Sequence, residues 1–133
     1  MVSCTYSPVN FRPRMIVAYA DSAHAALSAR HFRRLGWEVH LASSGPDARQ
    51  LAHVLSPQVV VLDTQLPDES GWLTCAKLIL ANGAQRVVLV SAEVTSEEAR
   101  MAKAVGAAAL VRRDHGVPML VERVMDVALP HAG

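Results

Sequence analysis

The stretch Gln58-Val59-Val60-Val61-Leu62-Asp63-Thr64-Gln65-Leu66-Pro67-Asp68-Glu69-Ser70-Gly71 decides the fold. Four aliphatic residues in a row, three of them β-branched, read as a strand buried on both faces. The run ends on a carboxylate, and the Pro, polar and Gly segment behind it cannot continue the strand. A carboxylate at the carboxyl end of a buried parallel strand sits where open α/β sheets place ligands. The alternative is that Asp63 only caps the next turn or helix, so the rest of the chain must decide.

Working outward, 133 residues suffice for one self-contained core. Half the residues are hydrophobic (51%) and 19% are charged, which places the chain among globular proteins. A net charge of +1 gives no reason to expect nucleic acid or an anionic membrane as partner. Cys4 and Cys75 have neither metal nor redox spacing. With no signal-peptide pattern and no apolar run of membrane-spanning length, a cytoplasmic location is expected.

On the N-terminal side, residues 1–14 carry Pro8 and Pro13 without periodicity and read as a flexible extension. Met15 to Ala20 is a first apolar strand, and Asp21 or Ser22 caps the helix after it, which Gly36 stops. Trp37 to Leu41 alternates apolar and polar and predicts a half-exposed edge strand. Ser44 and Pro46 start a second helix with a stripe at Ala48, Leu51, Ala52 and Leu55. Beyond Gly71 a third helix carries Leu73, Ala76 and Leu80 on one face and stops near Asn82-Gly83. Arg86 to Ser91 is a buried strand, and Thr95-Ser96-Glu97-Glu98 is a capping box opening a helix to Gly106. Ala108 to Val111 is a fifth strand; Val117, Leu120, Val121, Val124 and Ala128 mark a last helix, with a tail over 130–133.

Five strands alternating with five helices on short links require a parallel sheet with right-handed crossovers. A doubly wound (βα)5 three-layer sandwich of strand order 2-1-3-4-5, flavodoxin-like, puts the alternating strand at one edge and the apolar ones inside. In that order the carboxyl ends of the strands bring Asp21, Asp63, Ser91 and Arg113 to one rim. Two carboxylates, a hydroxyl and a cation suggest phosphoryl chemistry: oxygen ligands for Mg²⁺, donors for phosphoryl oxygens, and a carboxylate able to form an acyl phosphate.

From Met15 to Leu129 the chain resembles a CheY-like response-regulator receiver domain, the phospho-accepting module of two-component signalling. The resemblance rests on Val59 to Pro67 with Gly71, on Ser91-Ala92 at the end of the fourth strand, and on Gly106-Ala107 before the fifth. It implies a phospho-acceptor at Asp63 and Mg²⁺ held by Asp21, Asp63 and the Gln65 backbone carbonyl. Ser91, Ala92 and Arg113 would contact the phosphoryl group, with Ala20, Glu93, Leu110 and Asp114 at the periphery. The implied partner is a sensor histidine kinase or phosphotransfer protein, and the implied output is a changed surface on the fourth helix, fifth strand and fifth helix, including homodimerisation there. It implies no enzyme beyond self-phosphorylation and self-dephosphorylation at Asp63.

The departures from the family pattern are specific. Ala20-Asp21 stands where the family has two acids, Arg113 where it has Lys, Asp114 where it has Pro, and Leu110 where it has an aromatic residue. A cis bond before a non-proline residue is costly, so a trans Arg113-Asp114 link is expected. Two carboxylates against one cation leave the pocket at −1, less negative than usual, so Mg²⁺ is expected to bind weakly. Arg113 can also pair with Asp63 and compete with metal. A second function follows from the same departures: a pseudo-receiver acting through constitutive protein contacts. A dehalogenase-like phosphatase would need an acid at Gln65, and His24, His31, His40, His53, His115 and His131 have no ligand spacing.

Overall fold

A computed structural model describes residues 12–128. The expected tail at 130–133 and most of the expected extension lie outside them. Five parallel strands, β1 (Arg14–Ala18), β2 (Glu38–Ala42), β3 (Val59–Asp63), β4 (Arg86–Ser91) and β5 (Ala109–Arg112), form one sheet in the order β2-β1-β3-β4-β5. The helices are α1 (Ser22–Arg34), α2 (Gly45–Leu55), α3 (Gly71–Ala81), α4 (Ser96–Ala104) and α5 (Gly116–Ala128), with a short 3-10 turn over Arg113–His115.

Side chains alternate across a strand, so each central strand feeds two cores, which is why its sequence is apolar without a break. Met15, Val17, Val59, Val61, Val88 and Val90 pack with Phe32 of α1 and Leu120 and Val124 of α5. Ile16, Ala18, Val60, Leu62, Val87 and Leu89 pack on the other face with Ala48, Cys75, Leu78 and Ala102 of α2, α3 and α4. The register sets Val61 beside Val17 and Val88, and Asp63 beside Val90, so every residue of β3 is buried, its terminal carboxylate included.

Four side chains fix where helices begin. Asp21, Ser44, Ser70 and Thr95 accept from the N–H groups of Ala23, Asp47, Leu73 and Glu98, satisfying donors that the first turn leaves open. Gly36 closes α1 at φ +98°, a conformation that favours glycine.

One expected face is adjusted and another is decided. Of the expected α2 stripe only Ala48 is fully buried, as Gly45 is at the helix start; Leu51, Ala52 and Leu55 are half-buried. In α3 the stripe of Leu73, Ala76 and Leu80 is the outer one: Leu73 is 48% and Leu80 87% exposed, while Cys75 and Leu78 pack on the sheet and Thr74 is buried beside Glu69. An almost wholly apolar helix offers several stripes of 3.6 period, and hydropathy cannot choose among them. Contacts at Gly71 and Thr74, described below, make the choice. The strands also shift: β1 runs from 14 to 18, β2 from 38 and β5 from 109. Trp37 is therefore outside the edge strand, buried edge-on against Phe32.

Candidate functional site

Asp63 ends β3 and is 6% exposed. The chain must turn at once to reach α3, and the sequence behind Asp63 is built for that turn. The Asp63 Oδ1 accepts from the Gln65 N–H at 2.9 Å, an Asx-type turn that fixes the carboxylate's orientation. The Thr64 N–H donates to the Val90 carbonyl and the Gly71 N–H to the Thr64 carbonyl, so α3 starts directly against the strand end. Between them the Glu69 N–H reaches back to the Pro67 carbonyl at 2.8 Å around Asp68, which adopts φ +70°. A Cβ on residue 71 would lie 2.2 Å from the Asp63 carbonyl oxygen, so the fixed distance from Asp63 to Gly71 is a steric requirement.

Arg113, just past β5, covers the carboxylate. Its Nη2 lies 2.7 and 2.8 Å from the two Asp63 oxygens, one nitrogen bridging both. The Arg113 side chain is 28% exposed and that of Asp63 9%, so solvent screens this pair far less than a surface one. Arg113 also lines a cavity of about 150 Å³ between α1 and α5 with Tyr19, His24, Ser28 and Leu120. Burial pushes the Tyr19 phenol up to about 12, only partly offset by its hydrogen bond with Ser28, so Tyr19 stands uncharged beside Arg113.

The other rim residues have different partners. Asp21 is exposed; it caps α1 and lies 3.1 Å from His24 Nδ1. The Ala23 N–H, helped by His24, holds its carboxyl below the usual range. The Ser91 hydroxyl, buried, donates 2.6 Å to Glu98 Oε1 on α4. Asp114 turns to Arg112 at 2.7 Å, with all described peptide bonds trans. Ala20, Gln65, Ala92 and Glu93 are exposed, and Leu110 is half-buried with no polar group to offer Ser91. Among the described residues no three His, Cys, Asp or Glu side chains gather as a metal site. Asp21 and Asp63 are separately engaged, so these residues as arranged do not form a fitted Mg²⁺ site.

A family model described as the response regulator receiver domain matches residues 15–129. The chain belongs to the response-regulator receiver family. The receiver is 32% identical over 108 residues to a protein-glutamate methylesterase/protein-glutamine glutaminase from Rhodospirillum rubrum, covering 75% of this chain and 29% of the relative. It is 36% identical over 58 residues to Protein Rrf1 from Nitratidesulfovibrio vulgaris, covering 44% of this chain and 42% of that protein. The receiver thus spans less than half the length of these relatives. Among solved structures it superposes on a CheY-like receiver domain protein from Methanospirillum hungatei with a TM-score of 0.82, at 17% identity over 88% of this chain and 94% of the other. A receiver domain of a LuxO-type repressor protein from Vibrio parahaemolyticus gives 0.82, at 21% identity over 89% and 91%. These structures share the fold.

One cluster beside the site escapes sequence reading. Glu69, in the loop between Asp63 and α3, is 9% exposed. Arg49 of α2 grips it with Nε at 2.8 Å and Nη2 at 3.1 Å, Lys77 of α3 reaches it at 2.8 Å, and the Thr74 hydroxyl donates at 2.7 Å. Burial alone would raise the Glu69 carboxyl, but these donors outweigh it and bring it from 4.5 down to about 2. The cluster ties the receiver's loop between β3 and α3 to two helices. Its partners are 20, 8 and 5 residues away, so no single-element pattern reveals it. Glu98 was legible only as a capping-box residue.

Proposed function

We propose that Asp63 accepts a phosphoryl group from a phosphohistidine of a sensor histidine kinase or phosphotransfer protein, in the cytoplasm. The observation that carries this reading is a buried carboxylate at the strand end, oriented by the Gln65 N–H and paired with the Arg113 cation. An Asp63 oxygen attacks phosphorus, the P–N bond to the donor imidazole breaks, and an acyl phosphate forms while the imidazole leaves with the bonding pair. Arg113 stays close enough to pair with the new phosphoryl oxygens, and Ser91 donates to one of them. The added charge is then read on the face made by α4, β5 and α5, through a changed partner or a homodimer. Beryllofluoride with Mg²⁺, added to the protein and to Asp63→Asn, tests the reading. Amide resonances of Ser91, Ala92 and Arg113 should move in the first only; identical spectra with and without the probe leave a pseudo-receiver.

Mg²⁺ would need Asp21 and Asp63 freed from His24 and Arg113 before they and the Gln65 carbonyl could hold it. Because Arg113 already occupies Asp63, Mg²⁺ affinity in the resting protein is expected to be weak. Arg113→Ala removes the competitor, and Mg²⁺ affinity by calorimetry should rise about tenfold, equivalent to one charge-assisted hydrogen bond discounted for partial exposure. Equal affinities would show that Arg113 does not compete with metal.

A further inference from the structure

The geometry points to Glu98 as a latch that holds the Ser91 hydroxyl away from Asp63 and exchanges it for a helix cap when the phosphoryl group arrives. This inference rests on the phospho-acceptor reading of Asp63. A serine hydroxyl has one proton to donate, and here it goes to Glu98 Oε1 at 2.6 Å, a short charge-assisted bond to a carboxylate of α4. The same proton cannot also serve a phosphoryl oxygen on Asp63. Ser91 is 3% exposed at the end of β4, so its choice is between these two acceptors rather than solvent.

Glu98 has a second place to go. Thr95-Ser96-Glu97-Glu98 is a capping box by sequence, in which the first residue caps the fourth and the fourth returns the bond. Only half of it is formed. The Glu98 N–H donates to Thr95 Oγ1 at 3.1 Å, but the Glu98 carboxylate is spent on Ser91, and no partner for the Thr95 N–H appears among the described residues. Turning Ser91 toward Asp63 releases Glu98 to complete the box on the Thr95 N–H. The first turn of α4 thus has two discrete hydrogen-bonded arrangements, and the state of Asp63 biases them. α4 is suited to this, since Ala102 is its one fully buried residue and little packing resists a change at its start. Leu110 has no hydroxyl or ring with which to relay the motion of Ser91, so the Glu98 carboxylate is the polar link from the site to the α4 surface. Glu98 is a positioning residue in this scheme.

The test titrates beryllofluoride, with Mg²⁺, into the protein, Glu98→Ala and Glu98→Gln, following affinity and the exchange of the Thr95 amide. Glu98→Ala should bind about three- to tenfold tighter, because nothing competes for Ser91. Glu98→Gln keeps a weaker acceptor and a residue the capping box tolerates, so it should lie between, and it guards against misfolding of the alanine variant. In the saturated wild-type protein the Thr95 amide should exchange more slowly than in the free protein, and in Glu98→Ala it should not. Binding seen in Glu98→Ala alone also supports the latch. Unchanged affinity in Glu98→Ala, or a Thr95 amide indifferent to saturation, overturns the latch and leaves the role of Asp63 standing. No binding in either protein overturns both.

Discussion

Gly71→Ala should destabilise this domain by about 3 kcal/mol or more, a large effect for one methyl group. The added carbon would lie 2.2 Å from the Asp63 carbonyl oxygen and 2.8 Å from the Thr64 Cα, both of them backbone atoms that no rotamer change can move. Relief requires lifting the start of α3 from the strand, which breaks the bond from the Gly71 N–H to the Thr64 carbonyl at 3.0 Å. Gly83→Ala is the matched control, because nothing lies within 4 Å of its added carbon. It should change stability by no more than about 0.5 kcal/mol. Urea unfolding of both variants checks the pair, with the midpoint falling in the first only and the slope unchanged. Equal midpoints would mean that the loop yields more readily than its geometry implies.

Glu69→Ala should cost about 2–4 kcal/mol. Its loss strands the fully buried Thr74 hydroxyl and removes the carboxylate that Arg49 and Lys77 share. The cations are 35% and 43% exposed and recover water, which keeps the cost below that of a fully buried pair. The same group sets a pH dependence. Its pKa falls on folding from 4.5 to about 2, so its contribution is fully present above about 4.5 and is lost as pH falls toward 2. That contribution is about 2–3 kcal/mol. Chemical denaturation between pH 6 and pH 2 should show the wild-type protein losing stability faster than Glu69→Gln across that window. Parallel curves would contradict the role given to Glu69.

What could be read from the sequence follows from the range of each interaction. The order and burial of the strands were legible because a two-sided strand writes its environment into consecutive residues, as Val59 to Leu62 do. The caps at Asp21, Ser44 and Thr95 were legible because they act within three residues. The Arg113–Asp63 pair could be anticipated because the expected strand order brings the carboxyl ends of β3 and β5 to one rim, on either side of β4. The packed face of α3 was not legible, since Leu73 and Leu80 are as apolar as Cys75 and Leu78, and only the contacts of Gly71 and Thr74 settle which side is buried. Glu69 with Arg49 and Lys77 joins three elements, and Glu98 with Ser91 joins a helix to a strand end. Such pairs have no periodicity, so they appear only once the chain is folded. Asp21 shows the reverse limit: its place at the rim and its cap on α1 were legible, but its contact with His24 was not.

The most direct test of the central claim is the mass of the intact protein after incubation with acetyl phosphate and Mg²⁺, beside Asp63→Asn. The account predicts a gain of one phosphoryl group in the wild-type protein, labile to hydroxylamine as an acyl phosphate must be, and no gain in the variant. An unchanged wild-type mass, or an equal gain in Asp63→Asn, would contradict Asp63 as the phospho-acceptor.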